Sequence, residues 1–225
     1  MSEPPNSVPF AGAAPPSRRV LAGRWCTLEP LDADRHAAGL RAADRAGDEA
    51  TWRWLPYGPF ATDEEHRAFL ATMAAGRDPL FFAVVVDGRA VGVLSFLAIV
   101  PEHGTIEIGH LWFSTELQRT TAATEAVFLL LHEAFALGNR RVEWKTDSRN
   151  AASRRAAERL GYTFEGVFRQ HRWFKGENRD TAWFSLLDRE WPAARREFEA
   201  WLDPATFDAD GRQLRPLAVA IKSGT

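Results

Sequence analysis

The sequence predicts an α+β domain: one mostly antiparallel mixed sheet, flanked by helices and built around a central βαβ unit. Three observations carry this prediction. Apolar periodicity switches repeatedly between two and 3.6 residues between the chain ends. Two alternating runs joined by Asp87-Gly88 give the clearest hairpin signal. Finally, TIEIGHLWF, beginning at Thr105, runs through a polar turn into an Ala- and Leu-rich stretch that starts near Thr121.

The elements follow in order. Trp25 to Leu31 reads as a strand ending at Pro30, and Asp32 as the N-cap of a helix with Ala37, Leu40 and Ala43 on its apolar side. Thr62-Asp63-Glu64-Glu65 has the form of a capping box and opens a second helix toward Met73. Between these helices, TWRWLPYGPF (Thr51 to Phe60) holds two prolines, a glycine and four aromatics, which suits a rigid loop. Leu80 to Val86 and Ala90 to Val100 form the hairpin. The strand from Thr105 leads into a helix over Thr121 to Leu137, stopped by Gly138. Arg141 to Asp147 is a strand, Ala151 to Leu160 a helix stopped by Gly161, and Tyr162 to Gln170 and Thr181 to Leu187 are the last strands.

Composition narrows the function classes. The 225 residues, 45% of them hydrophobic, suffice for one domain with a sizeable core. Basic and acidic residues number 28 and 30, for a formal charge of −2, so no bias toward nucleic acid appears. Cys26 is the sole cysteine, which excludes an internal disulfide and fits a reducing compartment. There is no HExxH, because Ala136 stands where a second histidine would follow His132-Glu133, and no metal is expected. No run of ~18 uncharged apolar residues and no signal-peptide pattern is present, so the expected place is the cytoplasm and no membrane partner is expected. Residues 1–19, rich in Pro, Ser and Ala, are expected to be a disordered leader. Residues 20–203 form the domain, and 204–225 an arm or tail with Leu214, Leu217, Val219 and Ile221 available for packing. Most of the nine tryptophans are expected in the core or at the interface of a possible homodimer.

The turn Gln118, Arg119, Thr120, Thr121, Ala122, Ala123 sits at a presumed helix start, where unpartnered N–H groups and a positive macrodipole favour a phosphate. Its spacing resembles the Gln/Arg-x-x-Gly-x-Gly/Ala motif of the GCN5-related N-acetyltransferases, with Gln118 and Ala123 at the ends and Thr121 where that family usually has glycine. The resemblance continues through RVEWKTD (Arg141 to Asp147) and NAASRRAAERLGYTFEG (Asn150 to Gly166), which is similar to the branch that acetylates ribosomal-protein N-termini. It spans roughly residues 20 to 190 and implies acetyl-CoA as co-substrate and an amine acceptor as second partner. A coenzyme site of Leu111, Trp112, Phe113, Gln118 to Thr124, Asn150 and Ser153 is also implied. A threonine at 121 carries a Cβ that would resist a positive φ.

Amine acetylation needs a base, donors for the thioester oxyanion and a proton for the leaving thiolate. Glu107 lies eleven residues before Gln118, as the base does in the histone-acetylating members that this segment is similar to. The alternative is a strand glutamate facing solvent or paired with an arginine. Strand alternation puts Glu107 on one face with Gly109, Leu111 and Phe113, and His110 on the other. Ser153 corresponds to a serine which, in the ribosomal branch, is proposed to assist thiolate departure; otherwise it is a first-turn serine bonding the backbone. Asn150 reads as a helix N-cap and, by resemblance, as a coenzyme contact. The expected acceptor pocket is aromatic, from Trp52, Trp54 and Tyr57, with His110, and with Trp173 on a second wall beside His171, Arg172 and Lys175. Two readings compete with the enzyme: a non-catalytic acyl-CoA-binding protein, and an interaction module with an aromatic surface.

Overall fold

A computed structural model describes residues 10–217 and 219. Their elements run β1 (Leu21–Ala22), β2 (Thr27–Pro30), α1 (Ala33–Arg45), α2 (Asp63–Ala75), β3 (Leu80–Val86), β4 (Arg89–Val100) and β5 (Thr105–Phe113), then α3 (Thr121–Ala136), β6 (Arg141–Asp147), α4 (Ala151–Arg159), β7 (Thr163–Phe174), β8 (Glu177–Leu187) and α5 (Trp191–Trp201). The eight strands form one sheet in the order β1-β2-β3-β4-β5-β6-β8-β7. Only β5 and β6 pair in parallel, across the α3 connection.

The sheet is buried on both sides because its inner strands are apolar on both sides. One side packs on α3, α4 and α5 through Phe82, Leu94, Phe96, Ile106, Ile108, Leu130, Ala157 and Phe198. The other packs on α1 and α2 through Leu40, Leu70, Phe81, Ala83, Val93 and Trp112, together with Trp52 from the intervening loop. The capping box of α2 is formed as expected: Thr62 Oγ1 accepts from Glu65 N at 3.1 Å, and Glu65 accepts from the Thr62 N–H. Such a cap stabilises a helix by ~1 kcal/mol.

Three differences from the sequence reading have physical causes. Helix α5 was not expected, although Trp191, Ala194, Phe198 and Trp201 form a buried stripe at helical spacing. The last two strands run longer than expected and join in a tight hairpin at Lys175-Gly176, both at positive φ. Residues 10–19 of the expected leader lie against the domain, held by polar contacts rather than by apolar area. Ala13 N donates to Pro101 O at 2.9 Å and Ala14 N to Leu137 O at 2.8 Å; Arg18 donates to Leu31 O at 2.8 Å, and the Arg19 guanidinium pairs with Glu133. Residues 1–9 lie outside the described residues. In the arm, Trp201 Nε1 donates to Arg215 O at 3.1 Å and Leu217 is buried, while Ile221 lies outside the described residues.

One buried carboxylate ties the two ends of the domain core together. Glu125, in the second turn of α3, accepts from the N–H groups of Arg24 at 2.9 Å, Trp25 at 2.6 Å and Cys26 at 2.8 Å. Gly23 is required beside it, since a Cβ there would lie 2.3 Å from the Glu125 carboxylate. Among the described residues, no helix is long and apolar enough to cross a membrane.

Candidate active site

The site begins where two strands part. β5 and β6 pair only from Thr105 with Arg141 to Glu107 with Glu143, and beyond that point they separate. On its other edge β5 shifts register against β4, with Val93 opposite Trp112 but Ser95 opposite Gly109, so Leu94 faces both His110 and Leu111. His110 takes a left-handed φ of 52° in this bulge. The extra residue reverses the alternation. Glu107 therefore does not share a face with Leu111 and Phe113, which pack toward α3. His110 turns instead to the α1/α2 side, with its ring 5.3 Å from that of Phe81 and stacked 5.6 Å from that of Tyr57.

Between the parted strands lies a cleft of about 450 Å³. It collects Glu107, His110 and Leu111 from β5, Trp144 and Lys145 from β6, Asn150 and Ser153 from α4, Trp54 from the 51–60 loop, and Trp173 and Arg179 from the last hairpin. Lys175, at the tip of that hairpin, donates from Nζ to the carbonyls of Trp52 at 2.9 Å and Tyr57 at 3.2 Å, so the hairpin and the loop meet.

Glu107 is buried. Its Oε2 accepts from Lys145 Nζ at 2.9 Å, and the same ammonium reaches Glu143 at 2.7 Å and lies 4.1 Å from the centre of the Trp183 ring. The arginine or solvent alternative is replaced by this lysine. Burial raises the Glu107 carboxyl above the usual carboxylate range, and Lys145 opposes the rise without cancelling it. His110 is pushed down to about 4, by burial first and then by the charges of Arg172 and Arg179, so its imidazole is neutral near pH 7. Its Nδ1 lies 3.0 Å from the Tyr57 hydroxyl.

Asn150 caps α4 by accepting from Ser153 N at 3.1 Å. Ser153 Oγ accepts from Trp144 Nε1 at 3.0 Å. The indole thus occupies an acceptor position of the hydroxyl and leaves its hydrogen for another partner.

At the start of α3, Thr120 is the N-cap, and its Oγ1 accepts from Ala123 N at 3.1 Å. The left-handed residue here is Arg119, with φ 63°, and Thr121 is the first helical residue, so its Cβ meets no backbone penalty. Among the described residues the N–H groups of Arg119, Thr121 and Ala122 have no hydrogen-bond partner, which leaves a place for an anion.

Several expected site residues have other employment. Trp52 and Trp112 are both 2% exposed and stack at 4.8 Å in the α1/α2 core; their indoles donate to Asp44 and Thr51. Gln118 Nε2 donates to Phe113 O at 2.8 Å, and the Thr124 hydroxyl is buried and accepts from Arg159 at 2.7 Å. Ala122 packs into the α3 core. Cys26 lies nearer the turn than expected, with Sγ 3.6 Å from Ala122 O; burial pushes its thiol far up and makes it a poor nucleophile. The residues that sequence reasoning missed are Lys145, Trp144 and Arg179. Trp144 and Lys145 lay inside the recognised RVEWKTD block, but their partners sit on other elements.

The comparisons agree with this geometry. The family model described as an acetyltransferase (GNAT) domain matches residues 26–163. The crystal structure of a GCN5-related N-acetyltransferase from Brucella melitensis superposes with a TM-score of 0.91 at 44% identity, covering 92% of this chain and 96% of that one. A probable GNAT-family acetyltransferase from Chromobacterium violaceum gives a TM-score of 0.79 at 45% identity, over 86% of this chain and 98% of that one. Among curated proteins, YdaF of Bacillus subtilis, provisionally named a ribosomal N-acetyltransferase, is 28% identical over 169 residues, which is 73% of this chain and 90% of that protein. The chain therefore belongs to the GNAT acetyltransferases, an acyltransferase with relatives in the ribosomal N-acetyltransferase branch of that family.

Proposed function

We propose that this enzyme moves the acetyl group of acetyl-CoA to a primary amine by direct attack in a ternary complex. The observation that carries the reading is the parting of β5 and β6 after Glu107, which opens one cleft to groups from both sides of the sheet. The free N–H groups at the start of α3 suit a pyrophosphate. The edge of β5 from Ile108 to Phe113, which β6 leaves unpaired, offers main-chain donors and acceptors suited to an amide-bearing pantetheine arm, and its N–H groups are of the kind that stabilise a thioester oxyanion. Acetyl-CoA supplies the activated acyl group.

Glu107, directly or through a water, takes the proton that the amine sheds as its nitrogen bonds to the acyl carbon. Its raised proton affinity suits that task near neutral pH. Ser153, relieved of one lone pair by Trp144, directs its hydrogen at the departing sulfur, which leaves as the thiol when the carbon–sulfur bond breaks. Cys26, buried and protonated, takes no part, in keeping with direct transfer. Titration calorimetry tests the coenzyme half of the reading. Acetyl-CoA is expected to bind at least tenfold tighter than acetyl-pantetheine, which lacks the pyrophosphate, because charge-assisted hydrogen bonds are lost. Equal affinities would refute the cradle.

A further inference from the structure

The hairpin of β7 and β8 sets Arg172 directly opposite Arg179. Like charges at opposed positions of a strand pair oppose folding. Both arginines line the cleft. The two carboxylates that share the cleft with them are already engaged, Glu107 by Lys145 at 2.9 Å and Asp147 by Arg149 at 2.9 Å. Neither Arg172 nor Arg179 enters an ion pair among the described residues, and Arg179 Nε is buried without a hydrogen-bond partner. The remaining polar neighbours do not neutralise them. His110 and His171 are held neutral, by burial first and then by these same arginines, and His171 Nδ1 is engaged with the Thr181 hydroxyl at 3.0 Å. Burial and the neighbouring Arg172 hold the Arg179 guanidinium below its ordinary range. The pair lies on the last hairpin, remote in sequence from the α3 turn proposed to hold the pyrophosphate.

We infer that the acceptor is an amine that also carries a carboxylate, and that Arg172 and Arg179 receive this carboxylate while the amine faces Glu107. The inference rests on the proposed acetyl transfer and narrows its acceptor. Two guanidiniums offer forked donors that match the oxygens of a carboxylate, and each such charge-assisted pair is among the stronger polar contacts a protein makes. An anion between them relieves their mutual repulsion and fills the vacant donor at Arg179 Nε. A polyamine or an aminoglycoside brings further positive charge to the same place and is repelled. The carboxylate has two sources, a free amino acid or an acidic side chain next to a peptide N-terminus.

The test uses the full-length protein saturated with coenzyme A, so that binding of the coenzyme is established before the acceptor end is probed. Thermal shift and calorimetry are run with succinate, its neutral diamide and putrescine. Succinate is expected to bind and stabilise, the other two are not, and Arg179→Gln and Arg172→Gln are each expected to weaken succinate about tenfold or more. Arg179→Lys, which keeps the charge but not the fork, should recover part of the loss. Unfolding temperatures of the variants without ligand show whether they fold. In the second arm, initial acetylation rates are compared for β-alanine against β-alaninamide, and for a peptide beginning Ala-Asp against one beginning Ala-Asn. A preference for the acid in the first pair identifies a free amino acid, and in the second a peptide terminus. Putrescine or the diamide binding as well as succinate, no binding of succinate, or a succinate affinity unchanged in both Gln variants would each overturn the inference while leaving acetyl transfer intact. Failure of coenzyme A to bind would instead overturn the proposed function.

Discussion

At the start of α3 the site is made of backbone. Three N–H groups without partners follow from where the helix begins, and the side chains nearby are already engaged, Thr120 and Gln118 within the turn and Thr124 with Arg159 of α4. At the other end of the cleft nearly every relevant group is a side chain carried by a different element: Glu107 on β5, Lys145 on β6, Trp54 on a loop, Arg172 and Arg179 on a hairpin. A backbone site tolerates changes of residue so long as the helix starts in the same place, which is why Thr121, as the first helical residue, stands there without strain. A side-chain site has no such tolerance. In the proposed reaction it would choose the acceptor, whereas the backbone end would hold the coenzyme.

Changes at the side-chain end are expected to act on turnover. Glu107→Gln keeps the shape and removes the base, and should lower kcat by about a hundred- to ten-thousandfold at pH 7. The pH profile separates this from a structural loss. Because burial raises Glu107's affinity for a proton, wild-type activity should fall on the acid side at a higher pH than an ordinary carboxylate would give. In the variant that limb disappears, and the remaining rate should climb with pH as the free amine deprotonates unaided. An equal loss at every pH would assign Glu107 to structure.

The backbone end should respond in affinity. Thr121→Glu places an acidic residue in the first turn of α3, where the macrodipole favours it, so the fold should be retained or slightly stabilised while acetyl-CoA binding falls roughly a hundredfold by calorimetry. Loss of stability together with binding would mean that the turn had been disrupted and would leave the cradle unsupported. The smallest expected effect lies between the two ends. Ser153→Ala should reduce kcat by about tenfold to a hundredfold with little change in acetyl-CoA affinity, because it strips the hydrogen bond aimed at sulfur and leaves the Asn150 cap intact.

The same contrast governed what could be read from the sequence. The α3 turn and the Asn150 cap are local, written in a few consecutive residues, and both were legible. The capping box at Thr62 and the Asp87-Gly88 hairpin were legible for the same reason. The bulge was not. Nothing in TIEIGHLWF marks His110 as the residue that leaves the alternation, since the shift is settled by packing against β4. Without the bulge the faces of β5 come out wrong beyond Gly109, and His110 is separated from Glu107. The Lys145 partner of Glu107 depends on a parallel register fixed 38 residues away in the chain. Trp52 read as lining the acceptor pocket and Trp112 as a coenzyme contact; their stacking in the core joins residues 60 positions apart, which no local pattern marks. Helix α5 has a stripe of Trp191, Ala194, Phe198 and Trp201 at helical spacing, but its start carries no side-chain cap, so no local signal announces it.

The contact of Lys175 with the carbonyls of Trp52 and Tyr57 has a topological meaning. By fastening the hairpin tip to the loop between α1 and α2, a single ammonium joins two walls of the cleft into one rim. Neither wall can then swing outward alone, because doing so breaks two charge-assisted hydrogen bonds at once. The width of the mouth is therefore held by three residues, Lys175, Trp52 and Tyr57, that do not themselves line the cleft.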